Sequence, residues 1–161
     1  MSVLVGGNVS EVYSSSELAQ QGKGFGLGDR LCRHDGKEYV WVQANGAVTG
    51  AGYVVALDED YQAVEATNTT AVYGDLVGVA LGAMADNDYG WVQVKGPCVI
   101  RVAASCAANV AITSTTTAGQ LDDAAGVGTK TINGAALTTA NGGSAATAAA
   151  IINYPQVGVT N

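Results

Sequence analysis

Short runs of β-forming residues, each closed within a few positions by Gly, Asn or Asp, restrict the folds open to this chain. Tyr39-Val40-Trp41-Val42-Gln43 alternates along its length, and Tyr53-Val54-Val55-Ala56-Leu57 follows a glycine-flanked turn. Leu76-Val77-Gly78-Val79-Ala80-Leu81 is a continuous apolar run of strand length. Trp91-Val92-Gln93-Val94 and Cys98-Val99-Ile100-Arg101-Val102 come next, with Lys95-Gly96-Pro97 read as the turn between them. No segment holds the helical apolar period over three turns. Ser16-Glu17-Leu18-Ala19-Gln20-Gln21 has room for a turn of helix, too short to stand alone. The pattern predicts an all-β fold, a compact β-sandwich or β-barrel-like domain with little helix.

Two of these runs echo each other. Tyr39-Val40-Trp41-Val42-Gln43-Ala44-Asn45-Gly46 and Tyr89-Gly90-Trp91-Val92-Gln93-Val94-Lys95-Gly96 share Tyr, Trp, Val, Gln and Gly in register, fifty positions apart. In the second copy, alternation sends Val92 and Val94 to one face and Tyr89, Trp91, Gln93 and Lys95 to the other. Beyond the turn, Cys98, Ile100 and Val102 share an apolar face opposite Val99 and Arg101. The aliphatic faces are the natural core. A Trp on the opposite face, in both copies, needs a cover because of its large apolar area. That cover is either a loop of the same chain or a neighbouring subunit, which makes Tyr39, Trp41, Tyr89, Trp91 and Gln93 the candidate subunit interface.

The ends differ from the middle. Residues 1–28 read as an N-terminal arm, with few aromatics, a Ser14-Ser15-Ser16 run, and glycine at every second position from Gly22 to Gly28. Residues 29–161 are expected to form a single β-rich domain. Within it, residues 139–161 are read as an extended C-terminal segment whose Tyr154–Val159 part forms an edge strand. The Ala/Thr/Gly-rich tract from Ala103 onward is expected to be ordered, since an uncharged apolar tail would be sticky if left exposed.

Composition narrows the function. A chain of 161 residues suits one domain. Only 13% of its residues are charged, against about 25% in ordinary soluble domains, which suits a subunit that buries much of its outside against copies of itself or a larger shell. The net charge of −7 and only seven Lys and Arg exclude a phosphate-binding surface, so neither nucleic acid nor anionic membrane is an expected partner. No apolar run approaches the roughly 18 residues that span a bilayer. Three cysteines, Cys32, Cys98 and Cys106, and no basic leader at the start, point to synthesis in a reducing cytoplasm with the thiols as packing residues.

The Gly22–Gly28 series lacks both GxGxxG and P-loop spacing, and reads as a linker. Cys32 and His34 share a strand face without the CxxC pairs of structural zinc, and Asp58-Glu59-Asp60 and Asp86-Asn87-Asp88 read as solvated turns. His34 is the single histidine, and no nucleophile motif accompanies it. The expectation is a non-enzymatic protein with no catalytic residues, no cofactor and no metal.

The order Gly78-Val79-Ala80-Leu81, a short acidic turn, Tyr89-Gly90-Trp91-Val92-Gln93-Val94-Lys95-Gly96-Pro97-Cys98-Val99, then Ala118-Gly119-Gln120-Leu121 and a closing Pro155-Gln156-Val157-Gly158-Val159, resembles the tailed-bacteriophage capsid decoration (head cement) proteins. The likeness covers about residues 75–161, and residues 29–57 more weakly. It implies a β-rich structural protein, commonly a homotrimer. Such a protein is made in the host cytoplasm, sits on the capsid exterior of the virion and bridges major capsid protein subunits. It also implies an N-terminal arm that touches the shell. Here that makes Ser2, Val3, Leu4, Val5, Val9, Val12, Tyr13 and Leu18 the candidate capsid contacts. Other readings stay open: a head-spike base or tail subunit, a carbohydrate-binding β-sandwich with Trp41 and Trp91 as platforms, and a small hydrolase.

Overall fold

The computed structural model describes residues 8–21 and 25–161. In chain order the described residues form β1 (Val12–Tyr13), α1 (Ser15–Gln21), β2 (Arg30–Cys32), β3 (Glu38–Ala44), β4 (Val54–Leu57), β5 (Gln62–Glu65), β6 (Leu76–Ala80), β7 (Tyr89–Val102), β8 (Ile112–Ser114), β9 (Leu121–Asp122), β10 (Lys130–Leu137) and β11 (Ala146–Thr160). The described residues make an all-β fold with one short helix.

A recurring four-residue turn launches six of these strands. Gly26–Asp29, Gly50–Tyr53, Val72–Asp75, Ala85–Asp88, Thr117–Gln120 and Gly126–Thr129 each close with the fourth N–H donating to the first carbonyl. Each has a positive φ at its third residue: Gly28, Gly52, Gly74, Asn87, Gly119 and Gly128. This is the type II arrangement, which places Gly or Asn at that position because other side chains clash there. In four of the six, the fourth residue (Asp29, Asp75, Asp88 or Thr129) takes back the first N–H through its side chain. A strand then begins at the next residue.

The strand pairings close into two rings that share β7. In the first, β7 pairs with β3, β3 with β5, β5 with β4, β4 with β6, and β6 with β7 again. In the second, β7 pairs with β9, β9 with β8, β8 with β10, β10 with β11, and β11 with β7. Each ring is a small barrel, and closure removes the open edges that would otherwise template aggregation. Val40, Val42, Val55, Leu57, Val92 and Val94 fill the first. Ile100, Val102, Ile112, Leu121, Leu137 and Ile152 are among the residues that fill the second. Between them stands β4, whose Val55 and Leu57 face one core while Val54 and Ala56 face the other. A strand buried on both faces reads as a continuous apolar run, which is why Val54-Val55-Ala56-Leu57 does not alternate.

Two sequence expectations need correction. Lys95-Gly96-Pro97 is not a turn: β7 runs through it unbroken for 14 residues. Its pairing with β3 ends at Glu38↔Lys95 through a bulge, and pairing with β11 takes over from Lys95↔Asn153. Gly96, at φ +97, absorbs the change of ring. The Gln93 side chain donates to the Lys95 and Pro97 carbonyls at 2.9 and 3.0 Å, holding the bulge. The C-terminal segment is likewise no arm and no edge. β11 lies between β10 and β7, with Ala148, Ala150, Ile152 and Val157 buried in the second core. Its buried residues Ala148, Ala150 and Ile152 fall at every second position, as expected of one face of a strand turned to the core.

Candidate interaction surface

The repeated Tyr-x-Trp-Val-Gln units lie side by side as antiparallel neighbours, with Trp41 directly opposite Trp91. Both indoles point to the outside of the first ring, yet Trp41 is 0% and Trp91 2% exposed. The cover is the chain itself. Phe25 sits 5.1 Å from each indole, centroid to centroid, and the indoles are 5.1 Å from each other, so the three rings form a triangle of tilted and edge-on contacts. Tyr13 stacks on Trp41 at 6.1 Å, and Val9, Leu18 and Leu81 fill the margins.

The local sequence explains why residues 8–21 lie there. Ser14 and Glu17 form a reciprocal cap: Glu17 N–H donates to Ser14 Oγ, and Ser14 N–H donates to Glu17 Oε2. Flanking the cap, Tyr13 and Leu18 pack on the same aromatic cluster, in the manner of a hydrophobic staple. β1 adds two residues alongside Tyr89 and Gly90.

Several site expectations change as a result. Tyr39, Trp41, Trp91 and Gln93 are buried within the chain and offer no surface to a second subunit, while Tyr89 stays half-buried. Trp41 and Trp91 are equally closed to a sugar ring. Among the arm residues, Val9, Tyr13 and Leu18 spend their apolar area on the Trp cluster, and Val12 packs on the first core. Ser2, Val3, Leu4 and Val5 lie outside the described residues.

The polar clusters are structural in character. Lys95 Nζ donates to Glu38 Oε1 at 2.8 Å, and the Tyr154 hydroxyl donates to Glu38 Oε2. The Lys95 hydrogen bond, then that of Tyr154, holds the Glu38 carboxyl below its ordinary range. Arg30 and Lys95 both lie over the Tyr154 ring. The sulfur of Cys106 and carboxylate oxygens of Asp122 and Asp123 come within 4.8 Å of one another. Burial, then the charge of Asp123, pushes the Cys106 thiol up to about 11. Asp123 accepts the Ala107 N–H at 3.0 Å, which ties down a loop. His34 is exposed, and no nucleophile is hydrogen-bonded to it among the described residues.

What the molecule does offer is an outward sheet face with hardly any charge. Across β10, β11 and β7, Ala136, Ile151 and Pro97 stand in one row, with Ala149 and Val99 in a neighbouring row. Ile151 is 51% and Val99 50% exposed. A shallow groove of about 350 Å³ runs beside Ile151, lined by Gly134, Ala135, Ala136 and Asn153. Across β7, a cleft of about 400 Å³ is lined by Lys37, Ala51, Leu81, Pro97, Cys98 and Val99, with no carboxylate. Sequence reasoning missed Ala136, Ala149, Ile151 and Pro97 as surface residues. The available signal was that β11 is apolar on both faces, Ala149 and Ile151 alternating with the buried Ala148, Ala150 and Ile152.

A scan against protein-family models and a search of the curated proteins each find no match to this chain.

Proposed function

We propose that this chain is a structural virion protein that binds the outside of an assembled phage capsid and stabilises it by bridging major capsid protein subunits. The observation that carries the reading is the Ala136–Ala149–Ile151 face. A chain of net charge −7 keeps one broad, rigid sheet face free of carboxylates. Such a face suits flat packing against another protein surface, because no charge has to be desolvated on contact. The closed rings beneath it supply a stiff base, so little ordering entropy is lost on docking. A ligand that binds only the assembled shell stabilises that shell by mass action, and repeated copies multiply the effect. The likeness of residues 75–161 to capsid decoration proteins agrees with this role, and Ser2, Val3, Leu4 and Val5 are retained as further shell contacts.

The test adds purified protein to undecorated heads of the phage that encodes it. Wild type is expected to saturate the heads and to raise their disruption temperature. Ile151→Asp is expected to lower affinity about ten-fold or more, by putting an unpaired charge in the contact. Absence of the chain from purified virions, by mass spectrometry, would sink the proposal. Recovery with tails instead of heads would move the role to a tail component.

A further inference from the structure

Two further surface features are opposite in character and belong to one chain. The first is the Val72-Tyr73-Gly74-Asp75 turn, whose tip carries Val72 at 60% and Tyr73 at 72% exposure. Tyr73 also borders a cleft of about 480 Å³ with Asp58, Glu59 and Asp75 in its wall. Among the described residues, Arg30 is the one cation in that wall, and its guanidinium is already placed 5.2 Å from the Tyr154 ring centre. The feature is an apolar knob on an acidic base. Burial, and after it the charges of Asp58 and Glu59, raises the Asp75 carboxyl above its ordinary value.

The second feature is the cleft beside Pro97, Cys98 and Val99. Its floor is apolar and the cation that lines it is Lys37. Arg101, whose N–H donates to the Gly52 carbonyl at 2.8 Å, stands next to it with its guanidinium over Tyr53. The two features sit at opposite ends of β6. The turn leads into Leu76, and Val79, Ala80 and Leu81 line the cleft. At the usual rise per residue the ends of this strand are roughly 13 Å apart, so knob and cleft are separate patches.

We propose that a second copy of this chain occupies the Pro97–Val99 cleft with its Val72–Tyr73 turn, its Asp58 and Glu59 facing Lys37 and Arg101. Charge complementarity selects this occupant. A chain of net charge −7 repels its copies in most orientations, and this docking sets the acidic end of one copy against the cationic rim of the next. Tyr supplies the anchor, with a large apolar area and one polar group. Because knob and cleft are different patches, the contact is heterologous, and successive copies close into a ring or extend into a stack. Pro97 and Val99 border both this cleft and the outward sheet face, while Ala136 and Ile151 line a separate groove beyond it.

The experiment has two arms. Sedimentation velocity over a wide concentration range is expected to show wild-type association that weakens with salt. Tyr73→Asp, Lys37→Glu and Glu59→Lys are each expected to weaken it by about ten-fold, and Lys37→Glu combined with Glu59→Lys is expected to recover most of the loss. The second arm mixes Tyr73→Cys chains with Val99→Cys chains, both also carrying Cys32→Ser and Cys98→Ser, and oxidises with diamide. A disulfide-linked dimer is expected in the mixture alone. Cross-linking of either variant with itself, or a wild-type chain that stays monomeric throughout, overturns the proposal. A monomer that still saturates phage heads overturns this contact and leaves the shell-binding proposal standing. Association of the expected kind without head binding does the reverse.

Discussion

Trp41 and Trp91 face each other across an antiparallel strand pair, indole centroids 5.1 Å apart and planes at 65°. Around them, Tyr39 stands opposite Gln93 and Gln43 opposite Tyr89. The repeated sequence therefore pairs with itself about a local two-fold through the two tryptophans, each Tyr meeting the other copy's Gln. Antiparallel pairing of two like strands has this result whenever the register is centred on the repeated residue.

Trp41 also carries a buried Nε1 with no hydrogen-bond partner among the described residues. Leaving that donor unsatisfied costs about 1–3 kcal/mol. Trp41→Ala is expected to lose about 3–5 kcal/mol, as large core truncations do. Trp41→Phe keeps a ring against Phe25 and Trp91 and removes the orphan donor, so it should lose less than half as much. Urea unfolding followed by far-ultraviolet circular dichroism reads both, and equal losses would refute the account.

The Glu38–Lys95–Tyr154 cluster gives a pH window. Glu38 is held below its ordinary 4.5, chiefly by the Lys95 hydrogen bond and next by Tyr154. Its contribution to stability is therefore complete above the unfolded value and is lost as pH falls through the lower folded one. Lys95 is raised above 10.5 by Glu38, so its share is present below that value and lost as pH climbs through the raised one. The stability gap between wild type and Glu38→Gln should be flat from about pH 5 to 9 and close on the acid side. Urea midpoints across that range are the check, and a gap that widens in acid would contradict the assignment.

Two glycines separate backbone conformation from crowding. Gly128 has φ +84 and open space where a Cβ would stand, so Gly128→Ala is expected to cost about 1–2 kcal/mol from conformation alone. Gly134 has φ +83, and a Cβ there would come 2.9 Å from the Asn153 carbonyl oxygen. Gly134→Ala should therefore cost about 3 kcal/mol or more, since backbone on β11 has to move. Thermal unfolding of the two variants gives the order directly, and a milder effect at Gly134 would show that the β10–β11 contact is loose.

The three thiols should react in a set order. Cys32 is exposed, Cys98 is partly buried and Cys106 is buried. Burial raises both inner thiols to about 11, leaving little thiolate near neutrality. With Ellman's reagent at about pH 8, Cys32 is expected to react first, Cys98 slowly, and Cys106 only after denaturation. Fast reaction of Cys32→Ser protein would mean that the Cys98 cleft opens.

Alternation and β-propensity made β3, β4, β6 and both halves of β7 legible, and assigned the right faces to Val92, Val94, Trp91 and Ile100. Periodicity reports a strand and its faces without naming the neighbour that covers each face. That is why Trp41 and Trp91 were readable as needing a cover while Phe25 was not readable as the residue supplying it. Gly96-Pro97 was misread because that pair ordinarily ends a strand. Here β7 changes partners at that point, and a change of partner leaves no mark in local sequence. The surface around Ile151 was hidden for a related reason: a strand apolar on both faces looks like one buried on both faces.

The sharing of β7 between both rings has a mechanical consequence. A pull that separates the two lobes is carried along β7, which is laced on either side to β3 and to β11, and across the β6–β11 pairing that joins the rings a second time. Hydrogen bonds loaded lengthwise in this way resist together, so the lobes should come apart in one step at high force, with little give beforehand.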